Sequence, residues 1–246
     1  MSNLGPFRRA CYLFVAAILA CGIAAADTIV VTGTGLGDNN FYLKENGTDT
    51  EVYFAGIIDI TLDGNYKRTS MCVQLFVNIN ENTTYNSTVL TPEEVAMTPP
   101  PTVAALEQIA WLLDSNNGSP ASTNDQAAGL QLAIWKIAED GVYTGGANPF
   151  TTGTVQEATG NHTTPTAILT DAQTYLTAAV GQWSNSAFVY ENVTTGSPPT
   201  AVQMLEGWEY SGGPQPVAPE SSTFILAGAA LLALGRTARR NLGRRS

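Results

Sequence analysis

Asn124-Asp125-Gln126-Ala127-Ala128-Gly129-Leu130-Gln131-Leu132-Ala133-Ile134-Trp135-Lys136-Ile137-Ala138-Glu139-Asp140-Gly141 is the stretch from which the rest of the chain can be read. It predicts a helix stopped at both ends. Asn124 offers a side-chain oxygen to an early backbone N–H, Asp125 suits the positive end of a helix, and Gly141 can adopt the left-handed conformation that ends one. Ala127, Leu130, Ile134 and Ala138 recur at helical spacing as a buried stripe. Gln131 falls on the same stripe, one turn before Trp135. A buried carboxamide without partners costs about 1–3 kcal/mol, so Gln131 must be bonded to something inside the fold.

Upstream, the pattern changes to strands. Thr28–Thr32 is short and β-branched, and Glu51–Leu62 alternates with Val52, Phe54, Ile58, Ile60 and Leu62 on one face. Gly33-Thr34-Gly35-Leu36-Gly37 lacks the spacing of a dinucleotide loop, and Asp38 to Gly47 reads as turn rather than helix. Asp63-Gly64-Asn65 reverses the chain, and Tyr66–Asn78 returns as a second strand. In that strand Met71, Val73, Leu75 and Val77 share one face, with Cys72, Gln74 and Phe76 on the other, which places Cys72 in mid-strand. Asn80–Leu90 is polar and threonine-rich and reads as a loop. Thr102 caps a helix to Leu113 with Val103, Leu106, Ile109, Ala110 and Leu113 inward. Gly145–Thr164 reads as a long loop. Thr164-Pro165 starts a third helix whose inward residues are Ile168, Ala172, Tyr175, Leu176, Ala179 and Trp183. Ala187–Tyr190 and Ala201–Tyr210 read as closing strands.

The two ends of the 246 residues carry processing patterns. Arg8-Arg9, an apolar run from Ala10 to Ile23 and Ala24-Ala25-Ala26 form a leader over residues 1–26, with lipoprotein cleavage before Cys21 as the alternative. Residues 27–211 then form the exported domain and 212–218 a Gly/Pro-rich linker. Residues 219–246 hold an apolar run, Phe224–Leu234, followed by Arg236, Arg239, Arg240, Arg244 and Arg245. That run is shorter than the roughly 20 residues of a full span, and its arginines belong on the cytoplasmic side. With Pro219-Glu220 and the Ser222-Thr223-Phe224 step, this tail resembles the PEP-CTERM sorting signals of bacteria, although Ser221 stands where that signature has a second proline. The resemblance implies an exosortase-type sorting enzyme as partner, initial membrane attachment through the tail, and a final place in the envelope or an exopolysaccharide matrix.

The formal net charge is −10, but it is unevenly spread. Between residues 27 and 218 the only cations are Lys44, Lys67, Arg68 and Lys136, against every acidic residue except Glu220. Such a charge argues against nucleic acid and anionic lipid as partners of the domain. Cys11 and Cys21 leave with the leader, so Cys72 remains as a single thiol, unable to form an internal disulfide.

A lone thiol on a strand and a lone carboxamide on an inward helix face suggest one chemistry in particular. A cysteine attacking a glutamine side chain with loss of ammonia gives an internal thioester. Met71-Cys72-Val73 followed by Gln131-Leu132-Ala133-Ile134-Trp135 resembles the Cys–Gln thioester domains of bacterial surface adhesins. Their glutamine motif runs Thr-Gln-x-Ala-apolar-Trp; Gln131, Ala133, Ile134 and Trp135 match it, and Leu130 replaces the threonine. The resemblance implies an α+β fold, a β-barrel or sandwich with an inserted helical subdomain. It also implies covalent adhesion, with Cys72 as sulfur donor, Gln131 as acyl donor and a surface amine or hydroxyl as the nucleophile captured. It calls for no cofactor, metal or catalytic residue. The competing reading keeps Cys72 as a buried apolar residue and Gln131 as a backbone partner, in a non-covalent structural or carbohydrate-binding component of the exopolysaccharide matrix.

Other groupings are weaker. His162, the only histidine, lies in a polar loop and makes a poor base for Cys72. Asp59 and Asp63 flank a turn without calcium-loop spacing. Glu93-Glu94 and Glu139-Asp140 read as solvated helix ends. Trp111, Trp135 and Trp183 lie on apolar helix faces and read as core, which leaves Trp208 as the candidate for stacking on a sugar.

Overall fold

The computed structural model describes residues 27–75, 79–95, 101–115, 121–194 and 204–207. The fold is α+β. Among the described residues, six antiparallel strands close a barrel in the order β1-β4-β5-β9-β8-β6. These are β1 (Asp27–Asp38), β4 (Ala55–Leu62), β5 (Tyr66–Cys72), β6 (Thr84–Leu90), β8 (Phe188–Thr194) and β9 (Leu205–Gly207). A smaller sheet places β2 (Phe41–Glu45) between β3 (Thr48–Val52) and β7 (Val155–Glu157). Three helices pack beside them: α1 (Val103–Asp114), α2 (Asn124–Asp140) and α3 (Thr166–Ala179).

Strand pleating sorts the side chains into two cores. Ile29, Val31, Ile58, Ile60, Leu62, Tyr85, Val89, Tyr190 and Leu205 fill the barrel interior. Met71, Val73 and Val189, on the other face of the wall, join the helices and the β2–β3 hairpin in a larger core. Cys72 packs against both.

Helix α2 is the axis of the larger core, as its sequence predicts, but it is more deeply set than one stripe requires. Every residue from Ala127 to Ala138 is buried, Lys136 included. The Lys136 ammonium reaches the carbonyls of Thr152 at 2.5 Å and Val155 at 2.9 Å, and pairs with Asp140 at 2.5 Å. A buried cation needs such partners, and here they fasten the loop before β7 to the helix. The cap is Thr123, not Asn124: its hydroxyl accepts the Gln126 N–H at 3.2 Å, while Gln126 Oε1 accepts the Ser122 N–H. Asn124 instead accepts the Gly37 N–H at 3.4 Å. Gly141, at φ 89°, ends the helix and donates its N–H to Ile137. On α1, Thr102 caps as expected by accepting from Ala105.

Several expected boundaries move. β1 runs through the glycine-rich segment to Asp38, with register shifts at Val31–Gly33 and Thr34–Gly37 that bend it around the barrel. The turn expected after Asp38 contains β2, which pairs with β3 along Phe41–Val52 to Glu45–Thr48. Glu51–Leu62 is two strands in two sheets, broken at Tyr53-Phe54. The stretch read as a polar loop supplies β6, whose Tyr85, Ser87 and Val89 point inward. A short 3₁₀ turn, Pro149–Thr151, and β7 occupy the loop expected over Gly145–Thr164. Val103 and Trp183 are exposed rather than inward: Val103 opens α1 on its outer side, and α3 ends at Ala179, so Trp183 falls beyond the helix whose inward face it was expected to extend. The two closing strands are β8 and β9. The leader, the linker, the sorting tail with Pro219 and Glu220, and Trp208 lie outside the described residues.

Candidate functional site at Cys72 and Gln131

Cys72 is the last residue of β5, not a mid-strand residue. That position leaves its backbone exposed on one side. Val73 donates its N–H to Met204 at 2.9 Å, continuing the sheet toward β9. Because successive residues of a strand direct their N–H and C=O groups to opposite sides, those of Cys72 point toward β4. The β4–β5 ladder, however, stops at Ile58–Ser70. Beyond it β4 stays with β1, where Gly56 faces Gly37.

Gln131 fills the gap. Its Oε1 accepts the Cys72 N–H at 3.0 Å, and its Nε2 donates to the Cys72 carbonyl at 2.6 Å. The carboxamide stands in for the missing strand, using its acceptor and one donor on a single residue of the sheet. The structure therefore brings together the two residues, 59 apart in sequence, that the motif singled out. Gln131 is 1% exposed, and the motif residues Ala133, Ile134 and Trp135 are buried around it.

The thiol has a different outlook from the backbone. Cys72 is in register with Leu205, and Leu205 with Tyr190, both in the barrel interior. Paired residues project to the same face, so the cysteine side chain faces the barrel. It lines a cavity of about 260 Å³ at the barrel mouth, with Val31, Leu43, Phe54 and Trp135 among its walls and Glu51 and Glu81 contributing carboxylates. Burial pushes the Cys72 thiol up to about 12, so it is held as a protonated thiol at neutral pH.

Trp135 is the second anomaly of the site. It is 3% exposed, yet its indole Nε1–H has no hydrogen-bond partner. Leaving a buried donor unmade costs about 1–3 kcal/mol. Trp135 follows Gln131 by four residues on α2, so the two side chains lie on one helix face.

The remaining candidates are placed elsewhere. His162 stacks on Tyr42, with ring centroids 4.1 Å apart, and its Nδ1 lies 3.5 Å from Asp49. Asp63 accepts the Thr28 N–H at 2.9 Å, tying the turn to β1. Glu139 and Asp140 are not simply solvated. Glu139 accepts the Leu75 N–H at 3.3 Å just past the Cys72 strand, and Asp140 accepts the Thr154 N–H. Burial raises the Glu139 carboxyl above its ordinary value despite that bond. For Asp140 burial acts upward too, but the hydrogen bonds from Lys136 and Thr154 outweigh it and hold the carboxyl below the usual range. Glu94 caps the 3₁₀ turn at Thr91.

Sequence reasoning missed Glu206, which sits on β9 opposite Met71 and Val189 and is fully buried. Neither carboxylate oxygen has a hydrogen-bond partner. Burial first, and then the charge of Asp114, pushes this carboxyl well above its ordinary value. Asp114 itself accepts from the hydroxyls of Ser184 and Ser186. Leu205-Glu206-Gly207 carries no signal of this, since an acidic residue in an alternating strand normally marks the solvent face. Among the described residues no group of three or more His, Cys, Asp or Glu side chains converges as a metal set would.

Comparison of the chain with protein-family models, with curated proteins and with solved structures finds no match.

Proposed function

We propose that the domain is an exported bacterial surface module in which Cys72 and Gln131 close an internal thioester that captures a nucleophile on another surface. The observation that carries this reading is the double hydrogen bond between the Gln131 carboxamide and the Cys72 backbone, which keeps the acyl carbon beside the residue bearing the thiol. Held proximity of this kind converts a bimolecular attack into an intramolecular one. The balance is simple. The thiol sulfur bonds to the side-chain carbonyl carbon, the C–N bond breaks, and the thiol proton leaves on nitrogen as ammonia. A surface amine or hydroxyl later adds to the same carbon, the C–S bond breaks, and the nucleophile's proton returns to sulfur. The barrel-mouth cavity, which Cys72 lines, is the approach route for that nucleophile. In this proposal residues 1–26 direct export, and the Pro219-Glu220 tail hands the chain to an exosortase-type enzyme.

A second reading has its own support. The Gln131 carboxamide already completes the edge of β5, and the half-buried Cys72 side chain keeps its thiol protonated. Both side chains then serve packing alone, in a non-covalent matrix component.

Intact mass of the mature, leader-free chain, in which Cys72 is the single cysteine, separates the two readings. With the thioester closed, the protein is lighter by one ammonia than its unfolded, reduced sequence, and Cys72→Ala or Gln131→Ala each removes the deficit. Full mass together with one thiol that titrates on unfolding overturns the covalent reading.

A further inference from the structure

The unpartnered indole N–H of Trp135 needs an acceptor, and one atom of Gln131, a helical turn earlier on α2, changes its demand for donors in the course of the proposed chemistry. The Gln131 carbonyl oxygen now has one assigned donor, the Cys72 N–H at 3.0 Å. When a sulfur or an external nucleophile adds to the carbonyl carbon, that oxygen becomes an oxyanion with room for two or more donors. Gln131 and Trp135 are one helical turn apart on the same face of α2. Cys72 and Trp135 both line the cavity at the barrel mouth, the indole from the α2 side and the cysteine from the end of β5. Val31, Leu43 and Ile58 make part of the wall apolar, while Glu51 and Glu81 line it too.

We infer that the Trp135 Nε1–H and the Cys72 backbone N–H form a two-donor site for the acyl oxygen of residue 131, stabilising the tetrahedral intermediate in both closure and opening of the thioester. The inference rests on the thioester reading and adds a catalytic role for the tryptophan. It also gives a reason for an orphaned donor to be kept in a core where phenylalanine would fill similar space without the unpaired group.

The experiment uses the mature, leader-free chain, whose single cysteine is Cys72, with Trp135 replaced by β-(3-benzothienyl)alanine, which keeps the bicyclic ring and removes the N–H. The probe nucleophile is methylamine, and opening is followed by intact mass and by thiol release. Methylamine opening is expected to slow by about a hundredfold, the scale on which loss of one oxyanion donor acts. The thioester carbonyl stretch, isolated by ¹³C-labelled glutamine, is expected to move to higher frequency. A purely packing role for Trp135 moves neither. In the unsubstituted chain, the ¹⁵N-indole resonance of Trp135 should move downfield when the thioester is closed, relative to the Gln131→Ala chain, which gives a readout that needs no replacement of the tryptophan. An unchanged opening rate and carbonyl stretch, or an indole resonance indifferent to closure, overturns the inference while leaving the thioester in place. A wild-type chain of full mass with a free thiol removes the thioester, and the inference with it.

Discussion

Gln131 and Cys72 are joined through three groups: the carboxamide of one residue spans the N–H and the C=O of the other, at 3.0 and 2.6 Å. This pairing makes the helix–sheet junction a continuation of the sheet. It also means that Gln131 has a structural task whether or not its carbon ever bonds to sulfur. Any variant that removes the carboxamide tests stability as well as chemistry, and the two must be read separately.

Gln131→Leu leaves two part-buried backbone groups of Cys72 without partners. At about 1–3 kcal/mol for each, a loss of roughly 2–6 kcal/mol at most is expected, read as a lower midpoint in urea. Gln131→Glu is the sharper variant. A carboxylate can still accept the Cys72 N–H, but its second oxygen faces the Cys72 carbonyl, where a donor stood. The protonated acid has that donor, so the folded state binds the proton more tightly than the unfolded chain. Stability of this variant should therefore be highest below the ordinary glutamate value and fall as pH rises through it. A pH-independent urea midpoint relative to wild type would refute the assignment of Nε2 to the carbonyl.

Thiol chemistry gives the second test. With Cys72 held up to about 12 by burial, alkylation of the folded chain at pH 8 should be roughly a thousandfold slower than that of an ordinary cysteine, because only the thiolate reacts. The rate should climb with pH up to that value. Unfolding the chain restores ordinary reactivity if the thiol is free. If the thioester is closed, no rate appears in the folded state at any pH until a nucleophile opens it. Fast alkylation of the folded chain at pH 8 would contradict the buried placement of the sulfur.

Glu206 predicts a pH dependence of the opposite kind to that of a salt-bridged carboxylate. Its folded-state value lies well above its unfolded one, so the folded chain holds a proton that the unfolded chain releases as pH rises past the ordinary glutamate range. Stability is thus retained in acid and eroded toward neutrality and beyond. Glu206→Gln fixes the neutral form. It should raise the melting temperature at pH 7 by several degrees, at roughly 2–4 °C per kcal/mol for a domain of this size, and change it little near pH 4. Asp140 runs the other way: Lys136 and Thr154 hold it low, so its contribution is present near neutrality and lost as pH falls through its depressed value. Equal effects of Glu206→Gln at the two pH values would show that the carboxyl is not buried as placed.

How much of this could be read in advance depended on whether the signal was local. The α2 helix and the Thr102 cap were legible because helical spacing and capping are properties of neighbouring residues. Residues 72 and 131 were legible as a pair only through a short motif, and the reason they meet was not. That reason is the divergence of β4 from β5 after Ile58–Ser70, a feature of the closed barrel rather than of either strand. β6 was hidden because Tyr85, Ser87 and Val89 alternate inward with a serine in the middle, which lowers the apparent hydrophobicity of a buried face. The break of Glu51–Leu62 at Tyr53-Phe54 was hidden because the alternation continues across two sheets that bury different cores. Glu206 and the indole of Trp135 could not be found from sequence at all, since an unpaired buried polar atom is defined by what fails to surround it.

Gly129 supplies the last prediction, and it concerns the support beneath the site. It lies on α2 two residues before Gln131, packed against α3. A Cβ built there would stand 2.6 Å from Asp171 Cβ and 3.0 Å from both the Ala172 nitrogen and the Ile168 carbonyl oxygen. The last two are helix backbone, which cannot rotate away as a side chain can. Alanine ordinarily stabilises a helix interior by up to about 1 kcal/mol over glycine. Here that gain is set against overpacking, which costs about 1–3 kcal/mol. Gly129→Ala should therefore be net destabilising by about 1–2 kcal/mol. It should also displace α2 away from α3, so the two hydrogen bonds between Gln131 and Cys72 should loosen with it. Hydrogen exchange reads this directly, through faster exchange of the Cys72 amide. A Gly129→Ala chain more stable than wild type, with that amide equally protected, would show that the two helices are not in backbone contact and that Gln131 does not depend on α3 for its position.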